Sequence, residues 1–192
     1  MSKDYLQQPP DQLRRKDREM EDEAWITAFL QSAPFGVFAF CQGGQPFVNS
    51  NIFVYDPGRR AIYFHTAREG RTRSIVAQNP RGCFSISEMG RLLPAESALE
   101  MSVEYSGITA FGITRVVEDK EEAFAALQLL LDKYFPHLRP GRDYSATTPE
   151  EWKRTAVYRF DIELWSGKQK KADADFTGAF LYGSTPKTHT TS

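Results

Sequence analysis

Ala61-Ile-Tyr-Phe-His-Thr-Ala-Arg-Glu-Gly-Arg-Thr-Arg-Ser-Ile-Val-Ala-Gln-Asn-Pro80 is the stretch from which the rest of the chain is read. It begins as a strand, with Ile62 and Phe64 facing one side and Tyr63 and His65 the other, because successive side chains alternate across a pleated sheet. It turns at Gly70 and continues as a short helix from about Thr72 to Gln78. Thr72 is the N-cap candidate, and Asn79-Pro80 ends the helix, since the residue before proline is pushed out of the helical region. A strand that leads through a glycine turn into a helix N-terminus leaves backbone N–H groups unpaired and pointing outward, which favours a bound anion. Arg68, Arg71 and Arg73 occupy the same turn. Arginine stays charged at physiological pH and meets phosphate oxygens with two parallel N–H bonds, so the turn reads as a phosphate cradle with His65 and Thr66 beside it. The plain alternative is a group of solvated surface arginines and a hydrogen-bonded, half-buried histidine.

Upstream, the pattern is a three-stranded meander: Phe35 to Cys41, Pro46 to Tyr55 and Arg60 to His65, with turns at Gln42-Gly-Gly-Gln45 and Asp56-Pro-Gly-Arg59. Asn49, Ser50 and Asn51 interrupt an otherwise apolar middle strand. Their amide and hydroxyl groups need partners, which either a ligand edge of carbonyls and ring nitrogens or a solvent-facing sheet edge or bulge would supply. Asp17 to Ser32 is a helical pattern with acidic residues in its first turns, where the helix dipole favours them. Residues 1–13, polar with Pro9-Pro10, read as an arm.

Downstream, Arg81 to Glu88 reads as a strand, Met89 to Met101 as a loop, and Glu100 to Val117 as two strands or one long bent one, kinked near Gly107 or Gly112. Asp119 caps a helix in which Glu122 completes a capping box. Phe124, Leu127, Leu130, Leu131 and Tyr134 fall at helical spacing and read as core packing. After a loop from His137 to Ala146, Thr148-Pro149-Glu150-Glu151 starts a brief helix. Val157 to Leu164 is the closing strand, followed directly by Trp165-Ser166-Gly167-Lys168. Residues 172–192 read as a mobile tail. About six strands with flanking helices indicate a mainly β, antiparallel barrel. A length of 192 residues, 41% of them hydrophobic, gives one domain over 14–171 a sizeable core.

These motifs resemble a known family. Tyr63-Phe-His-Thr-Ala-Arg-Glu-Gly-Arg-Thr72, preceded by Arg14-Arg-Lys-Asp-Arg18 and Gly36-Val-Phe-Ala-Phe40, is similar to the FMN-binding split-barrel family related to pyridoxamine 5′-phosphate oxidase, in its nitroimidazole-resistance branch. Asn79-Pro-Arg-Gly-Cys-Phe84, Tyr105-Ser106, Phe111-Gly112, Val117-Glu-Asp119 and Ser166-Gly-Lys168 extend the resemblance. It implies a six-stranded split β-barrel and a homodimer with flavin at the subunit interface. The implied activity is oxidoreduction of a small-molecule substrate, with a nicotinamide reductant as one option. The resemblance assigns the FMN phosphate to Gly70, Arg71, Thr72 and Arg73, and the ribityl chain and ring to Val48, Asn49, Ser50, Asn51, His65 and Thr66. Ser106, Trp165 and Lys168 complete the set, with Trp165 expected from the partner subunit or, alternatively, as a plug at the barrel end. The family's lysine after the turn arginine is Thr72 here, with Arg73 as its substitute. His65 is the candidate proton donor, because imidazole titrates near neutral pH.

A net charge of -1 argues against nucleic acid as the main partner. Met1-Ser-Lys-Asp-Tyr5 leads into charged sequence and no apolar run approaches membrane-spanning length, so no membrane association and a cytoplasmic location are expected. Cys41 and Cys83 lack the paired spacing of a zinc site and read as buried free thiols. Without a dinucleotide glycine fingerprint, FMN is favoured over FAD or a deazaflavin. Two other classes stay open: a non-catalytic flavin carrier or sensor, and haem handling through His65, His137 or His189.

Overall fold

A computed structural model describes residues 4–184. Lys16–Arg18 forms a 3-10 turn and Glu19–Met20 a short strand, β1, so the first helix, α1 (Glu23–Ser32), starts later than the apolar pattern predicts. A cap sets that start: the Asp22 carboxylate accepts the Ala24 N–H at 2.9 Å. There follow β2 (Gly36–Gln42), β3 (Gln45–Asn51), β4 (Val54–Asp56), β5 (Ala61–Ala67) and α2 (Arg71–Gln78). Two long strands come next, β6 (Arg81–Leu93) and β7 (Ser102–Val116), so Met89 to Leu93 is strand and not loop. α3 (Lys120–Tyr134) is capped by Asp119, which accepts the Glu122 N–H at 2.7 Å, and α4 (Pro149–Trp152) has the Thr148–Glu151 capping box. β8 (Thr155–Lys170) and β9 (Phe180–Leu181) close the described chain.

The nine strands of the described residues form one antiparallel sheet in the order β3-β2-β6-β7-β8-β5-β4, with β1 on β8 and β9 on β6. The split-barrel class stands, but with nine strands in place of six and with β3 and β4 as unjoined ends. The expected meander is absent. β2–β3 and β4–β5 are separate hairpins at opposite ends of the sheet. Ile52-Phe53 is the break between them. Phe53 is fully buried, its N–H donates to Tyr134 Oη at 3.0 Å, and that hydroxyl also lies 3.0 Å from the Phe53 carbonyl. A residue whose two backbone groups are committed to a side chain cannot extend a ladder. β5 therefore pairs with β8. β8 runs 16 residues, carries Trp165 and Lys168 within it, and has one extra residue opposite the step from Phe111 to Gly112. Gly112 is required there, because a Cβ would overlap the Asp161 carbonyl.

Two cores result. Inside the curled sheet, Phe38, Phe53, Phe64, Phe84, Tyr158 and Phe160 are fully buried, with Ile26 and Leu30 of α1 and Ile75 of α2 at its ends. Phe64 stacks between Phe38, 3.9 Å away by ring centroids, and Tyr158, 4.7 Å away. Each such ring contributes roughly 1.5–3 kcal/mol by leaving water. The second core joins Ala61, Tyr63 and Val157 to Ala123, Ala126 and Leu130 of α3. The outer face of β3-β2-β6-β7-β8 belongs to neither. Ladder register places Val48, Ala39, Cys83, Phe111 and Leu164 in one row across it, and Ser50, Val37, Ser85, Thr109 and Ser166 in the next. Cys41 is exposed and Cys83 half-buried, so neither thiol is a core residue as expected.

Residues 172–184, part of the expected tail, are hydrogen-bonded to the sheet. The Arg91 guanidinium donates to the carbonyls of Ala172, Asp173 and Ala174 and to the Glu104 carboxylate, which also accepts the Ala172 N–H. Hydrogen bonds from Arg91 and the Ala172 backbone hold Glu104 down at about 2. His189 lies outside the described residues. Among the described residues no helix is long and apolar enough to cross a membrane.

Candidate functional site

Gly70 joins β5 to α2. Its φ of 147° is one that side-chain-bearing residues rarely adopt. It is also the N-cap in place of Thr72, and with no side chain it leaves the first N–H groups of the helix, on Arg71, Thr72 and Arg73, uncapped. Arg71 lies 5.8 Å from the Phe47 ring centroid, and Arg73 makes a loose 3.8 Å contact with Glu118. Among the described residues no carboxylate pairs with Arg68 or Arg71. Uncapped N–H groups, the positive end of the helix and unpaired guanidiniums make this turn fit an anion. Thr72 is buried, and its hydroxyl accepts the Asn49 amide at 3.1 Å, which fastens α2 to β3.

The polar run on β3 divides by face. Asn49 and Asn51 turn inward, and Asn51 Nδ2 donates to the His65 carbonyl at 2.7 Å, bridging the seam between β3 and β5. Ser50 and Val48, the latter 61% exposed, look outward from the free edge. The Thr66 hydroxyl donates to the Ala67 carbonyl at 2.8 Å and lies 3.3 Å from Tyr158 Oη. The seam thus gathers Asn49, Asn51, Thr66, Gly70, Arg71, Thr72 and Arg73 in one region.

The imidazole of His65 is not among them. It alternates with Thr66 and faces α3, lining a cavity of about 340 Å³ with Ile52, Leu127, Leu130 and Leu131. Burial pushes its pKa below the ordinary value, so the ring is neutral at pH 7. Trp165 also stands apart. It points inward beside Tyr55, with the Arg60 guanidinium 3.9 Å from its ring centroid, the geometry of a plug. Ser106 is buried on the inner face and accepts the Gln169 amide at 3.1 Å.

Lys168 faces outward into a groove of about 600 Å³ over β6, β7 and β8, with Ser85, Ser87, Thr109 and Tyr105. Arg18 donates to Tyr105 Oη at 3.3 Å, and Lys168 Nζ lies 5.3 Å from the same ring centroid. Burial alone pushes the Tyr105 phenol up, but the Arg18 hydrogen bond and the Lys168 charge outweigh it and leave it below its usual range. Arg18 and Tyr105 carry no assigned role in the sequence reading beyond membership of motifs. Their meeting depends on β1 adding to β8, where Glu19 pairs with Lys168, and such a non-local pairing has no sequence signal.

The family model for pyridoxamine 5′-phosphate oxidase matches residues 22–169. No curated protein sequence matches. Among solved structures, the FAD- and heme-binding protein from Mycobacterium smegmatis is similar at a TM-score of 0.72 and 22% identity, over 82% of this chain and 77% of that one. The flavocytochrome Anf3 from Azotobacter vinelandii gives 0.73 and 20%, over 91% and 85%. A candidate 5-nitroimidazole antibiotic resistance protein from Bacteroides thetaiotaomicron gives 0.66 and 19%, over 79% and 86%. At these identities the likeness is one of fold. The family match, in contrast, runs from the start of α1 almost to the end of β8 and takes in both cores and the seam, and on that ground the chain belongs to the pyridoxamine 5′-phosphate oxidase family.

Proposed function

We propose that the chain is an FMN-dependent oxidoreductase acting on a small molecule, and that it works as a homodimer. The observation that carries this reading is the uncapped N-terminus of α2 beside Arg68 and Arg71, with which no carboxylate pairs among the described residues. A doubly negative phosphate at that turn would take up the free N–H groups and meet Arg71 with paired N–H bonds. Asn49 and Asn51 act indirectly, by holding α2 and β5 against β3 so that the turn keeps its shape. The outward Val48 and Ser50, on a free edge beside rows of small and apolar side chains, offer a flat wall for a ring system and for a second copy of the chain. The site is incomplete in one chain. Lys168 faces outward away from the seam and would reach this cofactor from the other subunit, whereas Ser106 and Trp165 point inward and stay out of the site. A bound flavin supplies the electron or hydride transfer, and the chain supplies its position and the exclusion of water.

Two structural neighbours are described as binding FAD or as flavocytochromes, which supports a flavin. FMN is preferred because the cradle accommodates one terminal phosphate and no dinucleotide fingerprint follows a parallel strand. The test is the visible spectrum of the purified protein and a titration with FMN and FAD. A colourless preparation that binds neither overturns the reading. FMN reduced by NADH or NADPH no faster on the protein than free in solution makes it a carrier. A haem-binding alternative rests on His65, whose half-buried ring faces a cavity, and on one neighbour described as binding heme. It predicts a Soret band on haem addition that His65→Phe abolishes.

A further inference from the structure

We infer that the cavity between β5, α3 and the segment leading into β8 is a separate binding site for a small uncharged molecule, apolar over most of its surface and carrying one hydrogen-bond donor. Its volume of about 340 Å³ holds one or two fused rings and sits at the low end of the roughly 300–1,000 Å³ typical of ligand pockets. Ile52, Leu127, Leu130, Leu131 and Phe135 supply an apolar wall. Among the described residues no lysine or arginine lines it. The Glu151 carboxylate stands exposed at its rim, where its Oε2 accepts the Thr148 N–H at 2.8 Å and the Thr148 hydroxyl at 3.2 Å. An anion would lose its hydration there beside a carboxylate, and a cation would find only that exposed, solvent-screened carboxylate at the rim and no counter-charge along the apolar wall.

Of the polar side chains that β5, α3 and β8 place around the cavity all are committed but one, while Ser145, which is exposed, and Thr147, which is half-buried, lie in the loop before α4 and have no hydrogen-bond partner among the described residues. The Tyr134 hydroxyl serves Phe53 and Pro34, and the Thr155 hydroxyl donates to the Glu151 carbonyl at 3.2 Å. The half-buried imidazole of His65 has no hydrogen-bond partner among the described residues, and in its neutral form one ring nitrogen is an acceptor. Ile52, at the break before Phe53, lines the cavity opposite α3, and Tyr134 of α3, which also lines it, is tied to the Phe53 backbone. It shares one residue with the seam, in two parts: the His65 carbonyl serves the seam and the His65 ring serves the cavity. The inference therefore goes beyond the flavin reading and does not depend on it.

Calorimetric titration of the purified chain with indole tests it, since the indole N–H can donate to the imidazole. Indole is expected to bind saturably at one site, and 1-methylindole, which keeps the rings but lacks the donor, about fivefold more weakly. His65→Phe removes that difference. Leu131→Trp, which fills the space, removes binding of both ligands and leaves the FMN titration as in the unmutated chain. Magnetic resonance of the unmutated protein gives the same answer without a substitution, because indole must shift the His65 ring and the Leu127, Leu130 and Leu131 methyl signals. Absence of saturable binding, a preference for indole that survives in His65→Phe, or displacement of indole by FMN overturns the inference. A protein that binds indole and no flavin retains this site and loses the proposed function.

Discussion

β5 faces two interiors built on different principles. Ile62 and Phe64 enter a dry aromatic core in which shape alone fixes each ring. Tyr63, one residue away, donates to Glu122 Oε1 at 2.7 Å, and Arg115 and Arg159 reach the same carboxylate at 3.0 and 3.2 Å. Burial first, and then Glu122, push the Tyr63 phenol up to about 12. Burial works against the Glu122 charge, but Tyr63 and the two arginines overcome it and hold the carboxyl below its usual range. Close packing positions atoms by leaving no space, whereas a satisfied polar network positions them across a distance.

The contrast can be broken by experiment. Phe64→Ala should cost about 3–5 kcal/mol in denaturant unfolding, through lost burial and an unfilled void. Glu122→Ala should cost less, roughly 2–3 kcal/mol, for leaving Tyr63 and Arg159 without their acceptor. A larger loss at Glu122 than at Phe64 would reverse the ranking of the two interiors. Arg71→Ala touches neither and should leave unfolding within about 0.5 kcal/mol of the parent, while FMN binding measured by flavin fluorescence weakens about ten- to a hundredfold. Equal FMN affinity in Arg71→Ala removes the guanidinium from the site. The smallest effect concerns pH. His65 is kept neutral by burial, so the unfolded chain takes up the proton first as pH falls below the ordinary value of 6.5. The contribution of His65 is therefore fully present above that value and declines as pH drops through it toward the lowered folded value. Thermal unfolding recorded from pH 7.5 to 5.5 should slope less in His65→Phe, and an unchanged slope would place the ring in water.

Local chemistry was legible in the sequence wherever one element decided the outcome. The alternation along β5, the Asp119 cap and the helix start at Thr148-Pro149 all formed as their residues specify. The Glu122 half of the capping box at Asp119 did not, because its carboxylate is drawn to Arg115 at the end of the preceding strand and to Tyr63 and Arg159 from strands distant in the sequence. The meander failed for a similar reason. Nothing near Phe53 in the chain announces that a tyrosine 81 positions later will occupy its backbone. Of the site, the glycine turn could be read from spacing, and the polar run of Asn49, Ser50 and Asn51 could be seen, but not that the two asparagines are spent on Thr72 and the His65 carbonyl. That His65 and Thr66 serve opposite faces follows from the same alternation, but what lies on each face depends on where α3 packs.

The pairing of β5 with β8 bears on how the protein is made. All of α2, β6, β7 and α3 lies between the two strands in the sequence, so a ribosome releases Ile62 and Phe64 well before the partner strand that covers them exists. At about 5–20 residues per second the delay is several seconds, during which the β4–β5 hairpin presents an unpaired apolar edge. Chaperone dependence in the cell should therefore be governed by the time taken to translate this interval.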